Sequence, residues 1–170
     1  MPGNTPESLL NKTQRVVNIS DCIVTSNTNE IIVTYALGSC LGISIYDPVN
    51  KFGGLAHFML PNSRIDKEKA ISKPFMFVDT GIITMINKFV NAGSELKKLQ
   101  IKVAGCSQIM DANSRFNIGE RNFAIMRKFL WKNGLLMDSH EIGDNKSRTM
   151  YLSVSDGKVY IRTKGIYKEL

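Results

Sequence analysis

The stretch that decides the fold runs Thr34-Tyr-Ala-Leu-Gly-Ser-Cys-Leu-Gly-Ile-Ser-Ile-Tyr-Asp-Pro-Val-Asn-Lys-Phe-Gly-Gly-Leu-Ala-His-Phe-Met-Leu-Pro61. Residues 42–46 are rich in β-branched and aromatic side chains, which predicts a strand. Residues 47–50, Asp-Pro-Val-Asn, are typical of a turn. Residues 54–60 then predict the returning strand, so the stretch as a whole indicates a β-hairpin.

The hairpin places a cysteine and a histidine close together. If its turn is centred on Pro48-Val49, Cys40 lies directly opposite His57, with Cβ atoms roughly 5 Å apart. A bulge at Gly53-Gly54 would shift this register by one residue.

A paired thiol and imidazole suggest nucleophilic catalysis. A free thiol with a pKa near ~8.5 is mostly protonated at neutral pH, and a neighbouring imidazole can take its proton. The hydroxyl of Thr34 can orient the imidazole, and a turn at Gly38-Ser39 can present backbone N–H groups to an oxyanion. The alternative is structural, since a cysteine in an apolar strand is usually a small buried hydrophobe and a lone histidine is usually only packed or exposed.

Several motifs resemble the CheD family of chemoreceptor glutamine deamidases. The most specific are Gly38-Ser-Cys40, the strand that ends in Tyr46-Asp-Pro48, and Gly53-Gly-Leu-Ala-His-Phe-Met-Leu-Pro61. Weaker matches follow downstream, and the resemblance covers residues 15–165. These matches are Lys73-Pro-Phe-Met-Phe-Val-Asp79, Lys102-Val-Ala-Gly-Cys-Ser107 and Ile118-Gly-Glu-Arg-Asn122.

The resemblance implies a fold, an activity and partners. The fold is a layered α/β sandwich, and the reaction is hydrolysis of a receptor glutamine amide to glutamate; some members also hydrolyse receptor methyl esters. The family's nucleophile, base and orienting residue map onto Cys40, His57 and Thr34. The oxyanion and substrate-binding side is assigned to Ser39 and Gly38 from the turn described above. The implied partners are the cytoplasmic helices of chemoreceptors, as substrate, and a CheC-type phosphatase.

Two other functions stay open on the sequence. The chain could be a binding module that regulates the phosphatase, with weak or lost catalysis. A thiol protease or acyltransferase is less favoured, because the sequence has no signature of a peptide cleft. The chain also departs from the family pattern at Gly105-Cys106 and at Gly143-Asp144-Asn145, and both departures are expected to affect loop shape and partner recognition more than the chemistry.

Length and composition predict one globular domain. The chain has 170 residues, of which 43% are hydrophobic and 22% charged. We expect a domain over residues 14–170, preceded by a flexible segment over residues 1–13. No apolar run approaches the ~20 residues of a membrane span, and the N-terminus does not resemble a signal peptide, so a cytoplasmic protein without membrane insertion is expected.

The cysteines and glycines indicate free thiols and no cofactor. The three cysteines, Cys22, Cys40 and Cys106, have no metal-ligand spacing and cannot all pair, which is typical of a reducing compartment. The chain contains no Gly-x-Gly-x-x-Gly fingerprint and no phosphate loop. We therefore expect neither a metal nor another cofactor.

Charge is distributed unevenly along the chain. Residues 1–60 hold three basic and four acidic residues, whereas residues 61–170 hold 19 basic and 11 acidic residues. The basic residues are scattered and no aromatic ladder accompanies them, so an acidic protein partner is favoured over nucleic acid. A solvated surface that only aids solubility is the commonest explanation of such an excess.

The remaining patterns predict an α+β domain with mostly antiparallel or mixed sheets and two long helices. Residues 62–73 are expected to be a polar loop, and residues 111–115 another. Trp131 is expected to be partly buried, with an interface as the alternative, and His140 is a surface rival to His57 as base. Strands are predicted over residues 15–20, 22–25, 30–37, 99–104, 135–141, 148–154 and 158–163, and helices over 79–91 and 120–132.

The two helices are predicted from apolar residues that recur at helical spacing. In the first, capped by Asp79 or Thr80, these residues are Ile82, Met85, Ile86, Phe89 and Val90. In the second, the residues expected to face inward are Phe123, Met126, Phe129 and Leu130. Asp156-Gly157 between the last two predicted strands indicates a hairpin.

Overall fold

Two five-stranded sheets and two long helices form most of the structure. A computed structural model describes residues 5–108 and 117–170. The helices found there are α1 (Lys67–Ser72), α2 (Val78–Asn91) and α3 (Ile118–Lys132). The strands found there are β1 (Thr13–Val16), β2 (Asp21–Thr25), β3 (Glu30–Leu37), β4 (Leu41–Asp47), β5 (Phe52–Phe58), β6 (Gln100–Gly105), β7 (Ser139–Ile142), β8 (Arg148–Ser153), β9 (Val159–Thr163) and β10 (Ile166–Glu169).

The two sheets have mixed topology. The first sheet has the order β1-β3-β8-β9-β10, and the second has the order β2-β5-β4-β6-β7. β1 pairs with β3 in parallel and β6 pairs with β7 in parallel, while the other pairs are antiparallel. The predicted α+β class with mixed sheets and two long helices is confirmed.

The second sheet is the middle of three layers. One face of β4 and β5 packs against α2 and α3 through Leu41, Ile43 and Phe58, and the other face meets the first sheet through Leu55. Every residue of β4 is therefore buried. A strand covered on both faces is apolar almost throughout, which explains why the quoted stretch is so poor in charge.

The hairpin forms, but its predicted register is wrong. His57 lies opposite Gly42, and Cys40 precedes the first residue of β4. The turn covers residues 48–51, and the Asp47 carboxylate accepts hydrogen bonds there from the backbone N–H groups of Val49 and Asn50, at 2.9 and 3.2 Å. This centres the turn one residue later. The pairing through Gly53 and Gly54 is regular, so no bulge forms there.

The helices follow the predicted apolar period, with two corrections. In α2, Ile82, Met85, Ile86 and Phe89 are buried, but Val90 is 45% exposed. Neither Asp79 nor Thr80 caps the helix, because the N-cap is Phe77; the Asp79 carboxylate instead accepts hydrogen bonds from the backbone and hydroxyl of Ser63.

The second long helix buries fewer side chains. In α3, Met126 and Leu130 are buried, and Phe123 and Phe129 are partly buried against the same core. Trp131 is 79% exposed, so the expected partial burial is wrong. It follows Leu130 by one residue and therefore points about 100° away from the buried stripe.

Other elements differ from prediction in extent. The segment predicted as a loop over residues 62–73 contains α1, whose N-cap Asp66 accepts from the backbone N–H of Lys69. The strand predicted over 135–141 is confined to Ser139–Ile142, and β10 was not predicted. The predicted loop over residues 111–115 lies outside the described residues.

The last hairpin and the N-terminal segment are the remaining parts of the fold. The hairpin of β8 and β9 around Asp156-Gly157 is confirmed. Leu9 is buried in a small cluster with Tyr151 and Tyr160, while the flexibility of residues 1–13, of which 1–4 lie outside the described residues, stays a prediction. Across residues 5–108 and 117–170, no helix is long and apolar enough to cross a membrane.

Candidate active site

His57 lies between the two sheets. It belongs to β5, which lies between β2 and β4 in the second sheet, and only 1% of its surface is exposed. Its ring reaches the first sheet, where Nδ1 is 2.7 Å from Oγ1 of the fully buried Thr34 in β3. The predicted contact between histidine and threonine is present, and it joins the two sheets.

The hydrogen bonds of Thr34 define the proton position on His57. The Thr34 hydroxyl has one proton and donates it to the carbonyl oxygen of Val17 at 2.9 Å. Thr34 Oγ1 therefore accepts from His57, so Nδ1 carries the ring proton. The lone pair is then on Nε2, which is buried and has no hydrogen-bond partner among the described residues.

Burial keeps the imidazole neutral. It lowers the pKa of His57 from the usual 6.5 to about 4, because a charged ring would lose its hydration. At neutral pH the ring is uncharged, with Nε2 ready to accept a proton.

Cys40 lies at the end of the connection from β3 to β4. It is partly exposed and packs against the apolar cluster between the two sheets. Burial raises the pKa of its thiol, and the Cys40 backbone N–H, which faces the sulfur, works in the opposite direction. The thiol is protonated at neutral pH and needs a base in order to react.

Cys40 and His57 belong to the same side of the second sheet. Because Gly42 pairs with His57, Cys40 lies two residues before the position opposite the histidine, just beyond the end of the ladder at Leu41. Gly42 has no side chain, and Leu37 and Met150 of the first sheet approach the space above it.

Three residues outside the hairpin hold the segment that carries Cys40. The backbone N–H of Ser107 donates to the carbonyl of Gly38 at 2.8 Å, and that of Cys106 donates to the carbonyl of Cys40 at 2.8 Å. The side-chain Nδ2 of Asn122 donates to the carbonyl of Ser39 at 3.1 Å.

Sequence reasoning did not assign these three residues to the site. All three lie in the family matches Lys102–Ser107 and Ile118–Asn122, and one of them also left a signal in the local pattern. Asn122 shares the inner face of α3 with Met126 and Leu130, and a polar residue on an apolar stripe indicates a specific partner.

The two departures from the family pattern meet beside this segment. The backbone N–H of Gly143 donates to the carbonyl of Gly105 at 3.0 Å, and Cys106 contacts Cys40 as described. Arg148, which is 1% exposed, donates to the Ser107 hydroxyl at 2.7 Å and to the Gly143 carbonyl at 2.9 Å. Both departures are therefore close in space to the segment that carries Cys40, although they are distant from it in sequence.

The rival histidine is elsewhere. His140 is exposed on β7, at the edge of the second sheet, with its ring 5.4 Å from that of Phe123. In the part of the chain that the structure describes, no group of three or more His, Cys, Asp or Glu side chains could hold a metal ion.

Comparison with known proteins agrees on one family. The family model described as CheD chemotactic sensory transduction matches residues 59–163. A probable chemoreceptor glutamine deamidase CheD 1 of Syntrophus aciditrophicus is 43% identical over 150 residues, covering 88% of this chain and 94% of its own. A probable chemoreceptor glutamine deamidase CheD of Solibacter usitatus is 40% identical, covering 92% of this chain and 93% of its own.

A further relative and a solved structure extend the comparison. A probable chemoreceptor glutamine deamidase CheD of Desulforamulus reducens is 40% identical over 88% of this chain and 90% of its own. The crystal structure of the hypothetical protein YfiH of Bacillus licheniformis superposes with a TM-score of 0.45 at 15% identity, over 72% of this chain and 49% of that chain.

Proposed function

Because the chain belongs to the CheD family, we propose that it hydrolyses the side-chain amide of glutamine residues in chemoreceptors, with Cys40 as nucleophile. The products are glutamate and ammonia. The relatives' names supply the substrate class, and the site between the sheets supports the chemistry. Since the modified receptor segments are cytoplasmic, the proposal places the protein in the cytoplasm.

The first half of the reaction forms an acyl-enzyme. Cys40 Sγ attacks the amide carbon while Nε2 of His57 takes the thiol proton. Backbone N–H groups of Ser39 and Cys40 stabilise the oxyanion of the tetrahedral intermediate. When the carbon–nitrogen bond breaks, His57 returns the proton to the departing ammonia, leaving a thioester.

The second half regenerates the thiol. His57 takes a proton from water, and the hydroxide adds to the thioester carbon. The tetrahedral intermediate then collapses to the carboxylic acid and the Cys40 thiolate, which takes the proton back from His57, and the acid ionises to glutamate in water. A receptor methyl ester would give the same thioester with methanol as the leaving group, so esterase activity is part of the proposal.

One observation carries the proposal. The chain of hydrogen bonds from His57 through Thr34 to the Val17 carbonyl leaves Nε2 as a buried, unpartnered proton acceptor. A buried polar atom without a partner costs free energy, so such an atom is an expected feature of an active site. The thiol of Cys40 lies on the same side of the sheet as the His57 ring.

Mass spectrometry of receptor fragments tests the activity. Purified cytoplasmic receptor fragments are incubated with the protein, and glutamine-containing peptides are monitored for conversion to glutamate. Cys40→Ala should abolish conversion, while Cys22→Ala, which removes a thiol on the other face of the same sheet, should leave it unchanged.

A second variant tests the orienting contact. Thr34→Val removes the acceptor of the His57 ring proton with little change in volume, and should lower kcat about a hundredfold, at the low end of what a general base supplies.

Two contrary results would reject the thiol mechanism or favour a regulatory binding module. Full conversion by Cys40→Ala would exclude the thiol mechanism. No conversion by the wild type, together with binding to a CheC-type phosphatase, would make the protein a regulatory binding module.

A further inference from the structure

Asn122 is a fully buried polar residue with an unusual pair of contacts. It lies on the inner face of α3, among apolar side chains, with 0% of its surface exposed. Its Nδ2 donates to the carbonyl of Ser39 at 3.1 Å and to the carbonyl of Met59 at 3.3 Å. Ser39 precedes Cys40 and Met59 follows His57 by two residues, so one amide joins the segments that carry both groups.

Burying the Asn122 amide is energetically unfavourable. Its Oδ1 is buried and accepts no hydrogen bond from the described residues. An unpartnered buried acceptor is unfavourable by about 1–3 kcal/mol. A purely structural position would favour an apolar side chain in this core, so the donor side of the amide accounts for the asparagine.

Peptide geometry converts the Ser39 contact into an orientation of Cys40. None of the described peptide bonds is cis. In a planar trans peptide the C=O of one residue and the N–H of the next point in opposite directions. Asn122 holds the Ser39 C=O towards α3, so the Cys40 N–H points away from α3, towards the sulfur.

The neighbouring peptides are held in the same way. Ser107 holds the Gly38 carbonyl and Cys106 holds the Cys40 carbonyl, both at 2.8 Å. These two contacts use backbone donors, which every substitution except proline would keep. The central contact alone depends on a side chain.

We propose that Asn122 is a positioning residue: by holding the Ser39 carbonyl, it aims the Cys40 N–H at the place where the substrate oxyanion forms. This inference rests on the cysteine chemistry proposed above, but it does not require that the substrate be glutamine.

Comparing two reactions of the Cys40 thiol distinguishes a positioning role of Asn122 from a general loss of structure in the variant. Iodoacetamide alkylates the thiolate by displacement at a saturated carbon, with iodide leaving and no oxyanion. p-Nitrophenyl acetate acylates the thiolate through a tetrahedral oxyanion, with p-nitrophenolate leaving. Both reactions need the thiolate, so the fraction of ionised thiol cancels in the ratio of acylation rate to alkylation rate.

Asn122→Ala should lower that ratio about tenfold to hundredfold, since loss of one oxyanion donor costs about a hundredfold or more and a misaimed donor somewhat less. Leu130→Ala is the matched control, because Leu130 is buried on the same face of α3, about two turns from Asn122. It should reduce stability and leave the ratio unchanged.

Asn122→Asp covers the case in which the alanine variant does not fold. A protonated aspartic acid has the same size and can still donate, whereas a carboxylate cannot. The ratio relative to wild type should therefore fall as pH rises.

Equal slowing of both reactions by Asn122→Ala, or a wild-type ratio for Asn122→Asp at every pH, would overturn the proposal. A lowered ratio in a protein that converts no receptor glutamine would uphold it and reject the proposed substrate instead.

Discussion

At the scale of single residues, the site combines groups that burial keeps uncharged. His57 loses affinity for a proton, and Cys40 holds its proton more tightly, because both are taken out of water. The resting pair is neutral, so in the proposed reaction the proton transfer accompanies the attack on the substrate instead of preceding it.

The low pKa of His57 makes stability depend on pH. Its folded pKa of about 4 lies below the unfolded value near 6.5, so the unfolded chain binds more protons between these values. The free energy of unfolding should fall as pH decreases from about 6.5 to 4, by on the order of 3 kcal/mol from this residue.

Urea denaturation across this range, for the wild type and His57→Gln, measures that contribution. Carboxylates add their own acid sensitivity to both proteins, so the difference between the two curves isolates His57. Parallel curves would show that His57 is not buried in its neutral form.

The thiols should differ in reactivity. Burial raises the pKa of all three thiols, to about 12 for Cys22 and Cys106. Only Cys40 lies on the side of the second sheet where His57 can act as its base, since Cys22 and Cys106 pack on the helix side. Limited alkylation at neutral pH, followed by peptide mass mapping, should label Cys40 first, and His57→Ala should slow that labelling. Faster labelling of Cys106 in the native protein would reject Cys40 as the reactive thiol.

At the scale of elements, irregular backbone brings the site together. Thr34 and Leu37 both face the space between the sheets, although residues three apart on a regular strand face opposite sides. The register of β3 shifts between them, and Ala36 has a φ of 56°. This bulge allows one strand to supply both the hydroxyl for His57 and the leucine for the core.

The end of β6 is constrained in a similar way. Gly105 has a φ of 100°, and a Cβ there would overlap the carbonyl oxygen of Cys40. Gly143 has a φ of 78° with nothing within 4 Å of its Cβ position. Gly143→Ala should cost about 1 kcal/mol of stability for the backbone conformation alone.

Gly105→Ala should lower the free energy of unfolding by about 1–3 kcal/mol more than Gly143→Ala, because it also forces the segment that carries Cys40 to move. Its rate of Cys40 acylation should fall, while that of Gly143→Ala should stay near wild type. Thermal denaturation and acylation rates, measured side by side, make the comparison. Equal effects on stability would mean that Cys40 moves aside freely.

At the scale of the whole molecule, charge and chemistry occupy different parts of the chain. The hairpin is nearly uncharged, whereas residues 61–170 carry the basic excess. Lys67, Lys69 and Lys73 follow the hairpin directly, on and just after α1, and are exposed. Their position in the sequence and their exposure make them the first candidates for attracting the acidic receptor helix of the proposed reaction.

If these lysines steer the substrate, kcat/KM for receptor deamidation should fall as salt rises towards physiological strength, where screening acts beyond about 8 Å. Charge reversal at Lys67, Lys69 and Lys73 should reproduce the effect. Lys97→Glu is the matched control, since Lys97 precedes β6 and lies at the opposite end of that strand from Gly105.

The chemical step, followed under single-turnover conditions, should not change with salt. A kcat/KM independent of salt, under conditions in which association limits it, would leave the basic excess as ordinary surface charge.

Local pattern alone determined the hairpin strands and both long helices with most of their buried faces, and it suggested the three residue types of the candidate site. These features depend on side-chain periodicity and on chemistry within a few neighbouring residues. Even so, the register was missed, because the Asp47 side chain, not the position of Pro48, sets the turn.

Only the tertiary structure decided which groups meet. The contact between Thr34 and His57 joins two sheets, and Asn122 reaches Ser39 across 83 residues of sequence. No local pattern encodes these distances, because they depend on how the layers pack and on which buried polar groups must find partners. The proton on Nδ1 of His57 and the direction of the Cys40 N–H follow from that packing.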